Sequence, residues 1–145
     1  SGVSTDALCN GDANGTVDIT VGGGVLPYTY AWDNGSTTED LSGLTAGTYA
    51  VVVTDANGAT ASGSYTVAEP VVLSSSAVIV DVLIAGGNNG SIDLTVVGGT
   101  APYSFVWDSG QTTEDISSLT AGTYQVTVTD TNGCTVVDSY TVTEP

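Results

Sequence analysis

The same text occurs twice in this sequence, 75 residues apart. With Gly15 set on Gly90, the two copies stay in register to the end without a gap. Trp32-Asp33 falls on Trp107-Asp108, and Thr37-Thr38-Glu39-Asp40 falls on Thr112-Thr113-Glu114-Asp115. About 40 of the 70 aligned positions are identical, and self-similarity at a fixed period marks a tandem array. The repeat therefore divides the chain into two expected domains, 1–70 and 71–145. Each is near the lower size limit for a self-sufficient core.

Within each copy the apolar period is two, which predicts strands and not helices. Tyr49, Val51 and Val53 alternate with Ala50, Val52 and Thr54, and their counterparts Tyr124, Val126 and Val128 alternate with Gln125, Thr127 and Thr129. Asn-Gly pairs begin at 10, 14, 34, 57, 89 and 132 and supply turns that accept positive φ. Short strands broken at this spacing predict an all-β fold: two tandem immunoglobulin-like β-sandwiches, stacked end to end as a rod. The first copy is expected to hold seven strands, near 3–10, 15–22, 27–33, 36–38, 39–44, 48–55 and 59–68. Leu44-x-x-Gly47-x-Tyr49 has the pattern of a tyrosine corner, and Tyr124 repeats it. Trp32 and Trp107 lie on the third strand, where such folds bury a tryptophan. Trp32, Tyr49, Trp107 and Tyr124 are thus assigned to structure. Ile19 and Val51 are the expected facing positions between the sheets.

The charge is one-sided: 16 carboxylates and no Lys, Arg or His. Nothing neutralises phosphate, so nucleic acid is excluded as a partner, and an anionic membrane surface is disfavoured. No apolar run reaches the roughly 18 residues of a membrane helix, so membrane insertion is not expected. No His or Lys serves as a general base. Glu39-Asp40 and Glu114-Asp115 are neighbours that point to opposite faces of a strand, not facing pairs. An enzyme is not expected. Without a signal peptide, the sequence reads as a mature fragment of something longer.

Excess carboxylate attracts cations. Asn10-x-Asp12-x-Asn14-Gly15, with Asp18 at the ninth position, resembles the opening of a calcium loop, although Val21 stands where a closing acid belongs. The second copy keeps little of this set. A second candidate is a domain junction at which Asp33 and Glu69 meet Asp130. Calcium is thus the one cofactor with candidate ligands, and none is required. Asp55-x-Asn57-Gly58 and Asp130-x-Asn132-Gly133 read as hairpin turns.

Three motifs together carry a family resemblance. Gly-Gly-x-x-Pro-Tyr-x-aromatic-x-Trp-Asp-x-Gly occupies 23–35 and 98–110. Thr-Thr-Glu-Asp-aliphatic-Ser-x-Leu-x-Ala-Gly-Thr-Tyr occupies 37–49 and 112–124. Val-x-Val-Thr-Asp-x-Asn-Gly occupies 51–58 and 126–133. The sequence resembles the SprB repeat of long surface adhesins of Bacteroidota, including the gliding-motility adhesin. The polycystic-kidney-disease type of Ig-like domain shares the elements more loosely. The resemblance implies an extracellular, cell-surface, multi-repeat adhesin or filament that acts as stalk and binding surface. Its implied partners are neighbouring repeats, surface polysaccharide or other copies of itself. The alternatives from other classes are a carbohydrate- or ice-binding module, or spacer domains of a larger secreted enzyme.

Repeats of this family often carry a Cys near the first strand and another after the last Asn-Gly. Here Cys9 has Ile84 as its counterpart and Cys134 has Ala59, so each copy keeps one half. In a stacked rod the two would lie roughly 30–40 Å apart, beyond the about 7 Å that a disulfide tolerates. No Cys9–Cys134 bridge within one chain is expected; the alternative is pairing between staggered chains.

Overall fold

A computed structural model describes residues 1–145, all of them in strands, turns and loops. The chain divides into two compact units, Ser1–Pro70 and Val71–Pro145. The first contains β1 (Gly2–Thr5), β2 (Gly15–Ile19), β3 (Thr29–Trp32), β4 (Leu41–Leu44), β5 (Gly47–Thr54) and β6 (Thr60–Val67). The second contains β7 (Ser74–Val80), β8 (Gly90–Val97), β9 (Ser104–Trp107), β10 (Ile116–Leu119), β11 (Gly122–Thr129) and β12 (Thr135–Val142).

In each unit, two three-stranded antiparallel sheets enclose one core. The sheet orders are β1-β2-β4 and β3-β5-β6, repeated as β7-β8-β10 and β9-β11-β12. This is the strand partition of an immunoglobulin-like sandwich. The expected fourth strand at 36–38 does not form. Thr38 Oγ1 donates to the Asp40 carbonyl at 2.6 Å, and the Trp32 indole N–H donates to the Thr38 carbonyl at 2.8 Å, so these side chains and one turn bond, Trp32 N to the Ser36 carbonyl at 3.0 Å, hold this segment in place of a ladder. The first strand is also shorter than expected. After Thr5 the chain leaves β2, and Ala7 N donates to the Ala68 carbonyl beyond the end of β6 at 2.9 Å.

The period-two pattern is what closes the core. Val51 and Val53 of β5 point inward with Val17 and Ile19 of β2, Leu41 and Leu44 of β4, Trp32 and Val67. Ile19 and Val51 thus come from opposite sheets into one cluster, as expected. The second unit repeats it with Ile92, Leu94, Trp107, Ile116, Leu119, Val126, Val128 and Val142, to which Val82 is added. Each buried aliphatic side chain contributes about 1.5–3 kcal/mol, and together they offset the ordering entropy of a small domain. Trp32 packs against Tyr65 with ring centroids 6.2 Å apart, and Trp107 against Tyr140 at 6.4 Å.

Neither Cys9 nor Cys134 is a free thiol: both are disulfide-bonded.

Strands β4 and β10 each carry a register shift against their partner. The shift puts Gly43 at φ 67° and its counterpart Ser118 at φ 61°, the only non-glycine residue with positive φ. A side chain in the left-handed region costs about 1–2 kcal/mol, against a smaller entropic cost for glycine. Ser118→Gly should therefore stabilise the second unit by about 0.5–1 kcal/mol, read as a higher denaturant midpoint with unchanged slope.

Candidate functional site

The carboxylates are the only abundant reactive groups, and the fold determines what each one faces. Eight of the 16 accept backbone N–H groups, in four pairs 75 residues apart. Asp6 takes Ala68 N at 2.8 Å and Asp81 takes Thr143 N at 2.7 Å, which fastens the departing first strand to the end of the last. Asp40 takes Ile19 N and Asp115 takes Leu94 N, both at 2.9 Å. These bonds sit where pairing of β4 with β2, and of β10 with β8, has run out, so a side chain ends the ladder.

Asp130 is the most enclosed of the acids, at 5% exposure. Its Oδ1 accepts Asn132 N and Cys134 N, each at 2.9 Å, and its Oδ2 accepts Thr100 N at 2.8 Å. It therefore closes the β11–β12 turn and fastens that turn to the glycine loop before Pro102. Burial works against its charge, but the N–H groups of Thr100, Cys134, Asn132 and Gly133 outweigh burial and lower its pKa. Asp55 does the same in the first unit, at a more open site. It accepts Val25 N at 3.0 Å, Ala59 N at 2.8 Å and Asn57 N at 2.9 Å, and the Val25 and Ala59 bonds lead in lowering its pKa.

Glu69 and Asp130, two of the residues proposed for calcium, fall into the same scheme. Glu69 is fully engaged: Oε1 accepts Asn10 Nδ2 at 3.0 Å and Oε2 accepts Gly11 N at 2.7 Å. Asn10 Nδ2 also donates to the Pro70 carbonyl at 3.1 Å. Asn14 Oδ1 accepts Leu8 N at 3.0 Å, and Asn14 Nδ2 donates to Asp12 Oδ2 at 3.1 Å. Asp18 faces solvent from the middle of β2, and Asp33 is exposed in the turn after β3. The loop brings Asp12 and Asn14 together and joins Asn10 to Glu69. No group of three Asp, Glu, Cys or His residues converges. The second copy keeps the scaffold of this loop: Asn89 Oδ1 accepts Leu83 N at 3.2 Å, and Glu144 accepts Gly86 N at 2.7 Å.

The four aromatic residues assigned to structure each donate a hydrogen bond to a backbone carbonyl. Tyr49 OH donates to the Thr45 carbonyl at 2.8 Å, and Tyr124 OH donates to the Thr120 carbonyl at 2.9 Å, forming two tyrosine corners. The Trp107 indole N–H donates to the Thr113 carbonyl at 2.9 Å, matching Trp32. A shallow hollow of about 560 Å³ lies on the outer face of β3, β5 and β6, where Ala31, Ala50, Ser62 and Ser64 are small. Its one titratable side chain is Asp33.

The loss of one acceptor measures this arrangement. Asp130→Ala should cost about 2 kcal/mol or more, because it leaves enclosed N–H groups unsatisfied. Asp55→Ala should cost less, because water reaches its donors. Equal losses in denaturant melts would show that enclosure does not set the strength of these bonds.

Comparison with known proteins follows the duplication. A model of the SprB repeat matches residues 1–37 and 76–112, just over half of the chain. Among curated proteins nothing matches. The three N-terminal domains of the highly immunogenic outer capsid protein (Hoc) of bacteriophage RB49 are similar in structure, with a TM-score of 0.59 at 20% identity, over 99% of this chain and 58% of that one. The C-terminal 282-residue fragment of intimin, solved with the intimin-binding domain of its translocated receptor, gives 0.52 at 14% identity, over 99% of this chain and 63% of that one. This chain spans less than two thirds of either, and at such identities the likeness establishes the fold alone.

Proposed function

The chain belongs to the SprB-repeat family, and from that membership we propose that its units, 1–70 and 71–145, are repeat modules of a long secreted cell-surface adhesin or filament. They serve as stalk and as contact surface toward neighbouring repeats, surface polysaccharide or further copies of the chain. One observation carries this reading. Duplication preserves the residues that hold the sandwich and loses the first two ligands of the calcium-like loop. Trp32, Tyr49, Asp40, Asp55 and Glu69 have identical counterparts, whereas Asn10 and Asp12 become Ala85 and Gly87. Two copies of a scaffold suit reach and spacing better than they suit two copies of a chemistry.

Other features support the same direction. Disulfide-bonded cysteines persist in oxidising, extracellular surroundings. No helix is long and apolar enough to cross a membrane. The intimin fragment was solved with a protein receptor domain, which supports a protein-contacting role for such a sandwich here. A carbohydrate module would need an exposed aromatic platform, and every one of the ten aromatic side chains is buried or half-buried. A role as spacer in a secreted enzyme would join these repeats to a catalytic domain encoded by the same gene.

The reading is tested on intact cells that express the parent protein. Antibodies raised against this chain should label unpermeabilised cells, and mild surface proteolysis should remove the label together with adhesion. Labelling that needs permeabilised cells would overturn the assignment.

A further inference from the structure

The duplication places a covered and an uncovered version of one surface in the same molecule. In the second unit, residues 71–73 lead into β7 and lie across the loop that follows β8. Gly99 N donates to the Val71 carbonyl at 2.8 Å. A Cβ on Gly98 would sit 2.0 Å from the Val72 carbonyl oxygen, and one on Gly99 would sit 3.1 Å from Leu73 Cδ1. Leu73 is itself only 9% exposed. The Gly98-Gly99 backbone is thus the floor on which a Val-Val-Leu segment rests.

The first unit has the same floor. Gly23 and Gly24 adopt φ of 82° and 70°, against 77° and 59° at Gly98 and Gly99. Above Gly23 there is open space, and the nearest atoms to a Cβ on Gly24 are those of Asp55, from 3.0 Å. Two adjoining hollows of about 160 Å³ each run along this surface and share Val21, Gly22, Val53 and Ala61. One of them begins at Ser1. Val53 retains 8% exposure where its counterpart Val128 has 0%. The edge ladder points into the same groove: Ser1 N donates to the Thr20 carbonyl at 2.9 Å, the position of the Ser76–Thr95 pair, and β7 continues that ladder through Ser75 and Ser74.

We propose that this groove of the first unit is a docking site for an extended aliphatic segment of Val-Val-Leu chemistry, of the kind that residues 71–73 supply to the second unit. The leucine enters between the sheets beside Val53, and a carbonyl of the segment accepts the Gly24 N–H. The inference goes beyond the adhesive reading and stands whether or not that reading holds.

The test uses the whole chain extended before Ser1 by Val-Val-Leu-Ser-Ser, a copy of residues 71–75. The amide signals of Val51 and Val53 report melting of the first unit, and hydrogen exchange is followed at the Gly24 amide. The extension should raise melting by about 5–10 °C and slow Gly24 exchange by about tenfold or more. Both gains should vanish when the leucine of the extension is replaced by aspartate, and the extended chain should stay monomeric. An equal gain with aspartate, no gain with leucine, or self-association through the extension would each overturn the proposal.

Discussion

A carboxylate accepting a backbone N–H is the interaction on which this structure depends. With no Lys, Arg or His in the chain, no side-chain cation is available to balance an acid. The charge must instead be stabilised by partial positive charge on the main chain. That constraint organises both units in the same way. Each latch closes a place where a short strand ends: Asp6 at the departure of β1, Asp40 beyond the pairing of β2 with β4, Asp55 at the β5–β6 turn and Glu69 at the 10–15 loop. A hydrogen bond to a charged acceptor is stronger than one between neutral groups, and its weight here is greatest at Asp130, the most enclosed of the acids.

Much of the fold was legible in the sequence because it follows from local pattern. Alternation at Tyr49, Val51 and Val53 marked β5, the Leu44-x-x-Gly47-x-Tyr49 spacing marked the tyrosine corner, and the Trp-Asp-x-Gly motif marked the buried indole. The strand at 36–38 was misread because its Thr residues suit a strand equally well, and only the contacts of Thr38 and Trp32 show what holds this segment in place of a ladder. The roles of the acids were not legible. Asp130 and Glu69 look like cation ligands when only their charge is visible, but their donors come from Thr100 and Gly11, 30 and 58 residues away. Identity between copies is a partial signal. Every latch lies at an acid shared between the copies, whereas Asp12 and Asp138, whose counterparts are Gly87 and Gly63, bond only side chains. The signal is not sufficient, because Asp18 and Asp33 are shared as well and face solvent.

The division between constant and variable residues connects the fold to its use. The constant set is core, corner and latch. The variable set includes the cysteines, the 10–15 loop and the outer face of β3-β5-β6, where Ala31, Ala50 and Ser62 become Val106, Gln125 and Val137. A repeat family built this way can lengthen a surface structure without changing how each module folds, while its outer faces diversify.

This composition permits an unusually clean measurement: melting temperature as a function of pH, from pH 7 to pH 2, at about 1 M salt to screen long-range repulsion. Ordinary proteins unfold in acid partly because they become polycations. This chain cannot, since protonating its carboxylates takes it toward zero charge. The folded-state pKa values of Asp55 and Asp130 are depressed. The stability they contribute is therefore complete above the unfolded value of about 3.9 and is lost as pH falls through the folded values. The account predicts a melting temperature that is level down to about pH 4 and then falls. A melting temperature that stays level or rises on acidification would show that the carboxylates burden the fold rather than hold it.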